Sequence, residues 1–443
     1  MEKNIKSKTK IKKILIATAS VIVAVVLLFI GVNAYFYAFM YPYREKVDNY
    51  AFTESSSTVL TREQAEEDLD YVYGHLADFH PAWLEKGEEE KTDAVKSRLE
   101  MEKQNLGDNV TVLELWRAAS RIAAALGDGH TRVTVNGGED LFINDFTQLN
   151  DYGLPLTING VDIQSFYKNF RAQFACETES YAQIKFADML KSERWLAFLG
   201  VNVSNGVTFT FETENGAEDF YYRFVMYDRA IGADTQTQTS EWVYYNVDEQ
   251  SSIGIFTLKQ CYYNDEYNVA LSKFFDEIFD KNIQNIIVDL RGNGGGNSYV
   301  ANEFLTYIDT DYYNSWQYDI RYGWLLKQYR QTMRENNKKP QVFGGDIYIL
   351  TDVKTYSAAM DFAMFVGDNN LGFIVGEASG NLPDSYGDLL YFQTPNAKLL
   401  FSVSFKKWYR VDQTKSGEPL TPDYVCPSEE ALEKAYELIL SGE

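Results

Sequence analysis

NIIVDLRGNGGGNS, residues 285–298, is the stretch on which the fold turns. Its first six residues form an almost unbroken apolar run, the pattern of a strand covered on both faces. Working outward, SIGIFTL (252–258) reads as a neighbouring strand. EYNVALSKFFDEIFD (266–280) reads as an amphipathic helix with Leu271, Phe274, Phe275 and Ile278 on one face. DIYIL (346–350), a helix opening near Ser357, and LGFIVG (371–376) repeat the unit. Strand–helix–strand at this rhythm predicts an α/β core with a largely parallel sheet. A β-hairpin around PNAK (395–398) and a closing helix, EEALEKAYELIL (429–440), complete it.

The strand is followed by RGNGGG, four glycines within residues 292–296. Three readings fit such a segment: a phosphate cradle, a flexible turn, or an oxyanion hole in which glycines let backbone N–H groups approach a developing negative charge. The phosphate reading lacks both the Walker and the dinucleotide spacing. The end of a parallel strand is where α/β folds place their sites, which favours the oxyanion hole.

TDVKTYSAAMDFAMF (351–365) raises a second choice, because Ser357 stands near a helix start. A serine there caps free N–H groups, or it is a nucleophile beside the positive end of the helix dipole. Acyl transfer by serine also needs a base. Of the three histidines, His75 and His80 belong to the end of a helix stopped by Pro81, whereas His130 lies on the Gly-rich loop GDGHTRV (127–133). A lone histidine is usually structural; a flexible loop is what can aim one at a site. If Ser357 is the nucleophile, Thr355 is the expected cap.

Upstream, Thr61/Gln64 and Thr111/Glu114 have capping-box spacing. Ala65, Leu69, Val72 and Leu76, then Leu115, Ala118, Ile122 and Leu126, supply the buried stripes. Residues 150–245 change character: short apolar runs alternate with Asn-Gly pairs (INGVD, SNGVT, ENGAE), hairpin signals interrupted by one helical patch, YAQIKFADMLKSERWLAFLG.

The chain has 443 residues, 45% of them hydrophobic and 15% aromatic, ample for several packed layers. Residues 1–13 hold six Lys and one Glu, and residues 14–32 carry no charge, enough to cross a bilayer as a helix. YFYAFMYPY (35–43) fits an interfacial aromatic belt. The positive-inside rule then keeps the Lys-rich end in the cytoplasm and the remainder outside. Val32-Asn33-Ala34 offers the competing reading of a cleaved signal peptide, for which the apolar run is long. Removing the +5 of the tail from the overall −23 leaves −28, which argues against nucleic-acid binding. Cys176, Cys261 and Cys426 have no metal-type or disulfide-framework spacing. With three separated histidines and no HExxH, no metal site and no cofactor are expected.

GDGHT (127–131), the strand plus DLRGNGGG (289–296), TYSAA (355–359), IVGEASG (374–380) and PLTPDY (419–424) occur in one order. In that order they resemble the family of C-terminal-processing (tail-specific) serine peptidases, which includes the tricorn protease core. The resemblance implies a crotonase/ClpP-like α/β peptidase core behind a helical N-terminal part, with the 150–245 insert where many relatives carry a PDZ domain. INGVD (158–162) is the one PDZ-like echo. The Ser–Lys branch of the family is excluded, since residues 358–397 contain no Lys or Arg. The tricorn-like branch implies Ser357 as nucleophile, His130 as general base, and the N–H groups of Gly294 or Gly295 and of Ala358 as the oxyanion hole. Its late acid falls on Glu418, although gapless counting back from Pro422 brings Lys415 there, and Asp128 is a local alternative. Gly129 stands where the branch has a Ser, and Met360 where the family often has a Glu.

The expected organisation is a cytoplasmic tail (1–13), a transmembrane anchor (14–36), a linker (37–60), a helical part (61–149), a small strand-rich insert (150–245) and the α/β peptidase core (246–443). The expected function is a single-pass, membrane-anchored endopeptidase that cleaves polypeptides outside the cell membrane. The alternative is a catalytically impaired relative that binds peptides.

Overall fold

The computed structural model describes residues 2–35, 49–230, 241–330 and 332–442. Both capping boxes form. Thr61 Oγ1 accepts from the Gln64 N–H at 3.3 Å while Gln64 Oε1 accepts from the Thr61 N–H at 3.0 Å. Thr111 and Glu114 exchange the same pair of bonds at 3.2 and 2.8 Å. The helices they open, Arg62–Phe79 and Val112–Ala124, bury the expected stripes and pack with a third helix, Glu89–Asn105.

The helix Glu2–Tyr35 contains one stretch, Lys12–Val32, long and apolar enough to cross a membrane. Most of the expected aromatic belt and the first half of the linker lie outside the described residues. The linker's second half is docked rather than free. Thr53 and Glu54 donate their N–H groups to Asn136 O and Ala397 O, both at 3.0 Å, and Val59–Thr61 pairs as a strand with Asn109–Thr111.

The insert is less strand-rich than expected. Its hairpins are present: Asn159 and Gly160, both at positive φ, join Thr157–Ile158 to Val161–Asp162 as a two-residue turn. Glu214-Asn215 joins Val207–Thr213 to Gly216–Tyr222. Three helices accompany them, Ile163–Gln173, Glu179–Met189 and Glu193–Leu199. The first begins where the Asp162 side chain accepts from the Gln164 N–H at 2.8 Å. An Asn-Gly hairpin signal therefore ran straight into an N-cap, and the cap was the weaker mark to read.

Six strands form the central sheet, in the order Val243–Asp248, Ile253–Leu258, Asn285–Asp289, Asp346–Thr351, Phe373–Gly376, Tyr424–Val425. The first pairing is antiparallel and the other four are parallel. Alternation explains the apolar run of Asn285–Asp289. Ile286 and Val288 face a core shared with Phe274, Phe275 and Phe362, and Ile287 faces the closing helix Ala431–Ser441 through Ala435 and Leu438.

A second, antiparallel sheet runs in the order Leu325–Tyr329, Gln317–Tyr322, Leu400–Tyr409, Ser385–Gln393. The last two strands are the hairpin expected around PNAK. Val133–Thr134 adds to Leu400–Phe401 and binds the N-terminal helices and the insert into this sheet's core. The molecule therefore has two principal cores, one beneath the central sheet and one behind the antiparallel sheet.

Candidate active site

The Ser357 turn and the Gly-rich loop hold one another. Strand Asp346–Thr351 ends in a turn where Thr355 Oγ1 accepts from the Asp352 N–H at 3.0 Å and reaches Leu290 O at 3.1 Å. Asp352 Oδ2 takes the Gly292 N–H at 2.9 Å, and the Tyr356 N–H donates to Asn293 O at 3.0 Å. Thr355 is thus spent on the loops and is not the helix cap. Ser357 itself occupies the N-cap position of helix Ala358–Asp368, yet its hydroxyl makes no capping bond.

Ser357 has φ +53°, a left-handed conformation that costs a non-glycine residue ~1–3 kcal/mol and tends to cluster at functional sites. Its N–H is held by Oδ1 of the buried Asn381 at 2.7 Å. Gly295, at φ +94°, lies so close that a Cβ there would fall 2.6 Å from Tyr356 O and 2.9 Å from both Ala358 N and Ser357 Cβ. Buried Asn293 ties this loop to the sheet, donating to Leu258 O and accepting the Gly295 N–H, both at 2.8 Å. The Gly295 N–H is therefore committed and unavailable to a substrate. Gly294 is exposed, Gly296 lines the cavity beside Ser357, and Ala358 stands at the first helical position, where no intrahelical acceptor exists.

His130 reaches the same place from the other sheet. Pairing of Val133–Thr134 with Leu400–Phe401 anchors its loop, and Ser402 Oγ donates to His130 O at 2.7 Å. His130, Ser357, Met360, Asp361, Asn381 and Trp408 line one small cavity of about 40 Å³. Both His130 ring nitrogens are buried and unpaired, and no hydrogen bond joins the ring to Ser357 among the described residues. Burial, reinforced by Arg132 and opposed by Asp128 and Asp388, moves its pKa below the usual 6.5, so the ring is neutral at neutral pH.

The carboxylate beside His130 is Asp128. It is fully buried, with Oδ1 accepting the His130 N–H at 2.9 Å and lying 3.8 Å from His130 Nδ1. Ser404 Oγ donates to Oδ2 at 2.6 Å, and His80 Nε2 stands 3.4 Å from the same oxygen. Burial alone would raise the Asp128 pKa. His80, His130 and Ser404 outweigh it and hold the carboxyl well below the carboxylate range. Glu418, by contrast, is exposed and does not line the cavity; its main chain is held by Lys415 O and the Arg410 guanidinium. Lys415 pairs with Asp412. Of the candidate acids, Glu418 lies away from the cavity, while the GDGH turn folds back and places its own Asp128 against the histidine.

His80 was read as a helix-boundary residue and proves to be part of the site's support. Its Nδ1 accepts the Ala82 N–H at 3.2 Å, so the ring proton sits on Nε2, towards Asp128. Only its position at the helix end, directly before Pro81, was visible in the sequence. The missing Ser at 129 also has a physical cause: a Cβ there would lie 2.5 Å from the Tyr356 hydroxyl. Gly129→Ser should displace Tyr356 and cost ~1–3 kcal/mol by overpacking, read as a lower melting temperature together with loss of activity.

Asp128, His130 and Glu177 bring one donor atom each within 4.8 Å of one another, the set that could hold a metal ion. Their lone pairs are largely engaged: both Asp128 oxygens accept hydrogen bonds, and Glu177 Oε2 accepts the Leu382 N–H at 2.8 Å. Burial and the Asp128 charge push Glu177 up to about 8, so it carries a proton at neutral pH.

The model of Peptidase family S41 matches residues 252–426, a span that holds the Gly-rich loop and Ser357 but not His130. No curated protein matches the chain. Among solved structures, mature CPAF aligns with a TM-score of 0.59 at 12% identity, over 86% of this chain and 96% of that one. Mature CPAF complexed with lactacystin gives 0.59 and 12%, over 86% and 97%. A putative peptidase from Parabacteroides merdae gives 0.51 and 14%, over 86% and 98%. At these identities the likeness is one of fold.

Proposed function

We propose that this chain, a serine-type peptidase whose residues 252–426 form a peptidase family S41 domain, is a membrane-anchored endopeptidase cleaving polypeptides outside the cell membrane. One observation carries the mechanism. Ser357, uncommitted and at positive φ on a helix N-terminus, shares a cavity with a neutral histidine whose ring nitrogens make no hydrogen bond. Ser357 Oγ attacks the scissile carbonyl while His130 Nε2 takes its proton. Asp128 faces Nδ1 and favours the tautomer with the proton there. The developing oxyanion is met by the Ala358 N–H and by an N–H of the Gly-rich loop, from Gly294 or Gly296. His130 then protonates the leaving amine, and water resolves the acyl-enzyme by the same route in reverse.

The Lys-rich tail and the apolar stretch Lys12–Val32 support the anchor, with the tail cytoplasmic. Polypeptide substrates follow from the family; no cofactor is required. The lack of a Ser357–His130 hydrogen bond favours a second reading, a peptide-binding relative with impaired catalysis.

Labelling of the detergent-solubilised full chain with a fluorophosphonate probe separates the two. Wild type is expected to label, and Ser357→Ala and His130→Ala are expected to lose at least nine-tenths of the signal, roughly in line with the loss on removing a triad member. A folded wild type that does not label, even with peptide present to close the site, sinks the catalytic reading.

A further inference from the structure

Beside the catalytic cavity lies a second depression, of about 380 Å³, lined by Trp316, Tyr318, Tyr329, Met333, Arg334 and Glu335. Three aromatic rings and a methionine, with one charged residue of each sign, make a surface that accepts a large apolar side chain and leaves polar groups for the peptide backbone. Tyr318 and Tyr329 stack at 4.5 Å, and the Arg334 guanidinium lies 5.8 Å from the Trp316 ring. Met333 is 60% exposed on a strand paired only with Tyr312–Asn314 among the described residues.

Trp408 separates the two depressions. It lines the cavity with Ser357 and His130, and its ring lies 5.3 Å from Trp316 and 4.9 Å from Tyr318. One indole of the cavity thus packs against two rings of the groove. An extended chain advances about 3.3 Å per residue, so about two residues span the 5.3 Å from the Trp408 ring to the Trp316 ring.

We infer that this aromatic groove is a specificity subsite of the peptidase, taking an aromatic or long aliphatic side chain two or three residues from the scissile bond of an extended polypeptide. The inference rests on the peptidase reading of Ser357. The groove sets substrate choice through side-chain burial and takes no part in the chemistry.

The test uses full-length protein and two peptides that differ only by Phe or Ala at the position reaching the groove, with each register scanned. Wild type should prefer Phe by about tenfold or more in kcat/KM, the scale of discrimination a hydrophobic pocket supplies. Met333→Trp, which fills the groove from its exposed rim, and Tyr329→Ala, which opens its wall, should each bring that ratio towards one, with melting temperature confirming a folded chain. The same peptides, fluorescently labelled, are titrated into Ser357→Ala, alone and combined with Met333→Trp. A Phe-over-Ala binding preference lost on adding Met333→Trp supports the groove even if wild type cleaves nothing, in which case the peptidase reading fails alone. Equal preference in folded Met333→Trp and in its parent, or no preference in any register, overturns the groove and leaves the peptidase reading intact.

Discussion

Asp128→Asn is expected to lower kcat/KM for peptide cleavage roughly a thousandfold or more, with the protein still folded. The effect has two sources. The carboxylate opposite His130 Nδ1 favours the tautomer that leaves Nε2 free and stabilises the imidazolium formed during attack; an amide does neither reliably, and loss of the equivalent group in a serine triad costs ~10⁴ in kcat. His80 adds a further cost, because its Nδ1 accepts from Ala82 and its Nε2–H would face the new amide group. The pH profile checks the assignment. The base must be neutral to work, and burial sets the His130 pKa below 6.5, so wild-type kcat/KM should hold from neutral pH downward and fall only below 6.5. Removing the Asp128 charge, which supports the protonated ring, moves that fall to still lower pH. A variant with unchanged kcat/KM would exclude Asp128 from the relay.

Gly295→Ala is expected to produce a large loss of stability. The residue sits at φ +94°, and the new Cβ would meet Tyr356 O at 2.6 Å and Ala358 N at 2.9 Å, both backbone atoms that cannot swing aside. Strain of ~1–3 kcal/mol and overpacking of similar size put the cost on the order of 2–4 kcal/mol. Because the displaced atoms flank Ser357, probe labelling should fall with it. Gly294→Ala is the comparison: a Cβ there meets nothing within 4 Å, so the melting temperature should stay within the small shifts of a surface change. Equal melting of the two variants would show that the loop gives way more easily than its contacts imply.

How far the sequence could be read followed the range of the interactions involved. Both capping boxes, the parallel strand run and the PNAK hairpin are encoded within a few residues, and all were legible. In the insert, the helical patch at 181–200 was legible and holds most of Glu179–Met189 and all of Glu193–Leu199, whereas Ile163–Gln173 was hidden because its N-cap, Asp162, directly follows an Asn-Gly turn. Within the site, Ser357 and His130 were marked by the loops that carry them. What escaped were relations set by packing over long separations, such as Ser404 on Asp128 and the Tyr356 hydroxyl against Gly129. Thr355 was misassigned as the cap for a similar reason, since its partner Leu290 lies 65 residues away.

The two cores are hung on different halves of the reaction. His130 is suspended between Leu126 and Val133, both in the core behind the antiparallel sheet, whereas Ser357 precedes Ala358 in the core beneath the central sheet. The proposed nucleophile and base therefore hang from different cores, and the distance between them is set at the seam where those cores meet. A slip of an ångström or so along that seam leaves each hydrophobic interior whole while uncoupling proton transfer. Tyr318 packs against both cores and touches Trp408, which lines the cavity, so whatever presses on those rings also presses on the gap between serine and histidine.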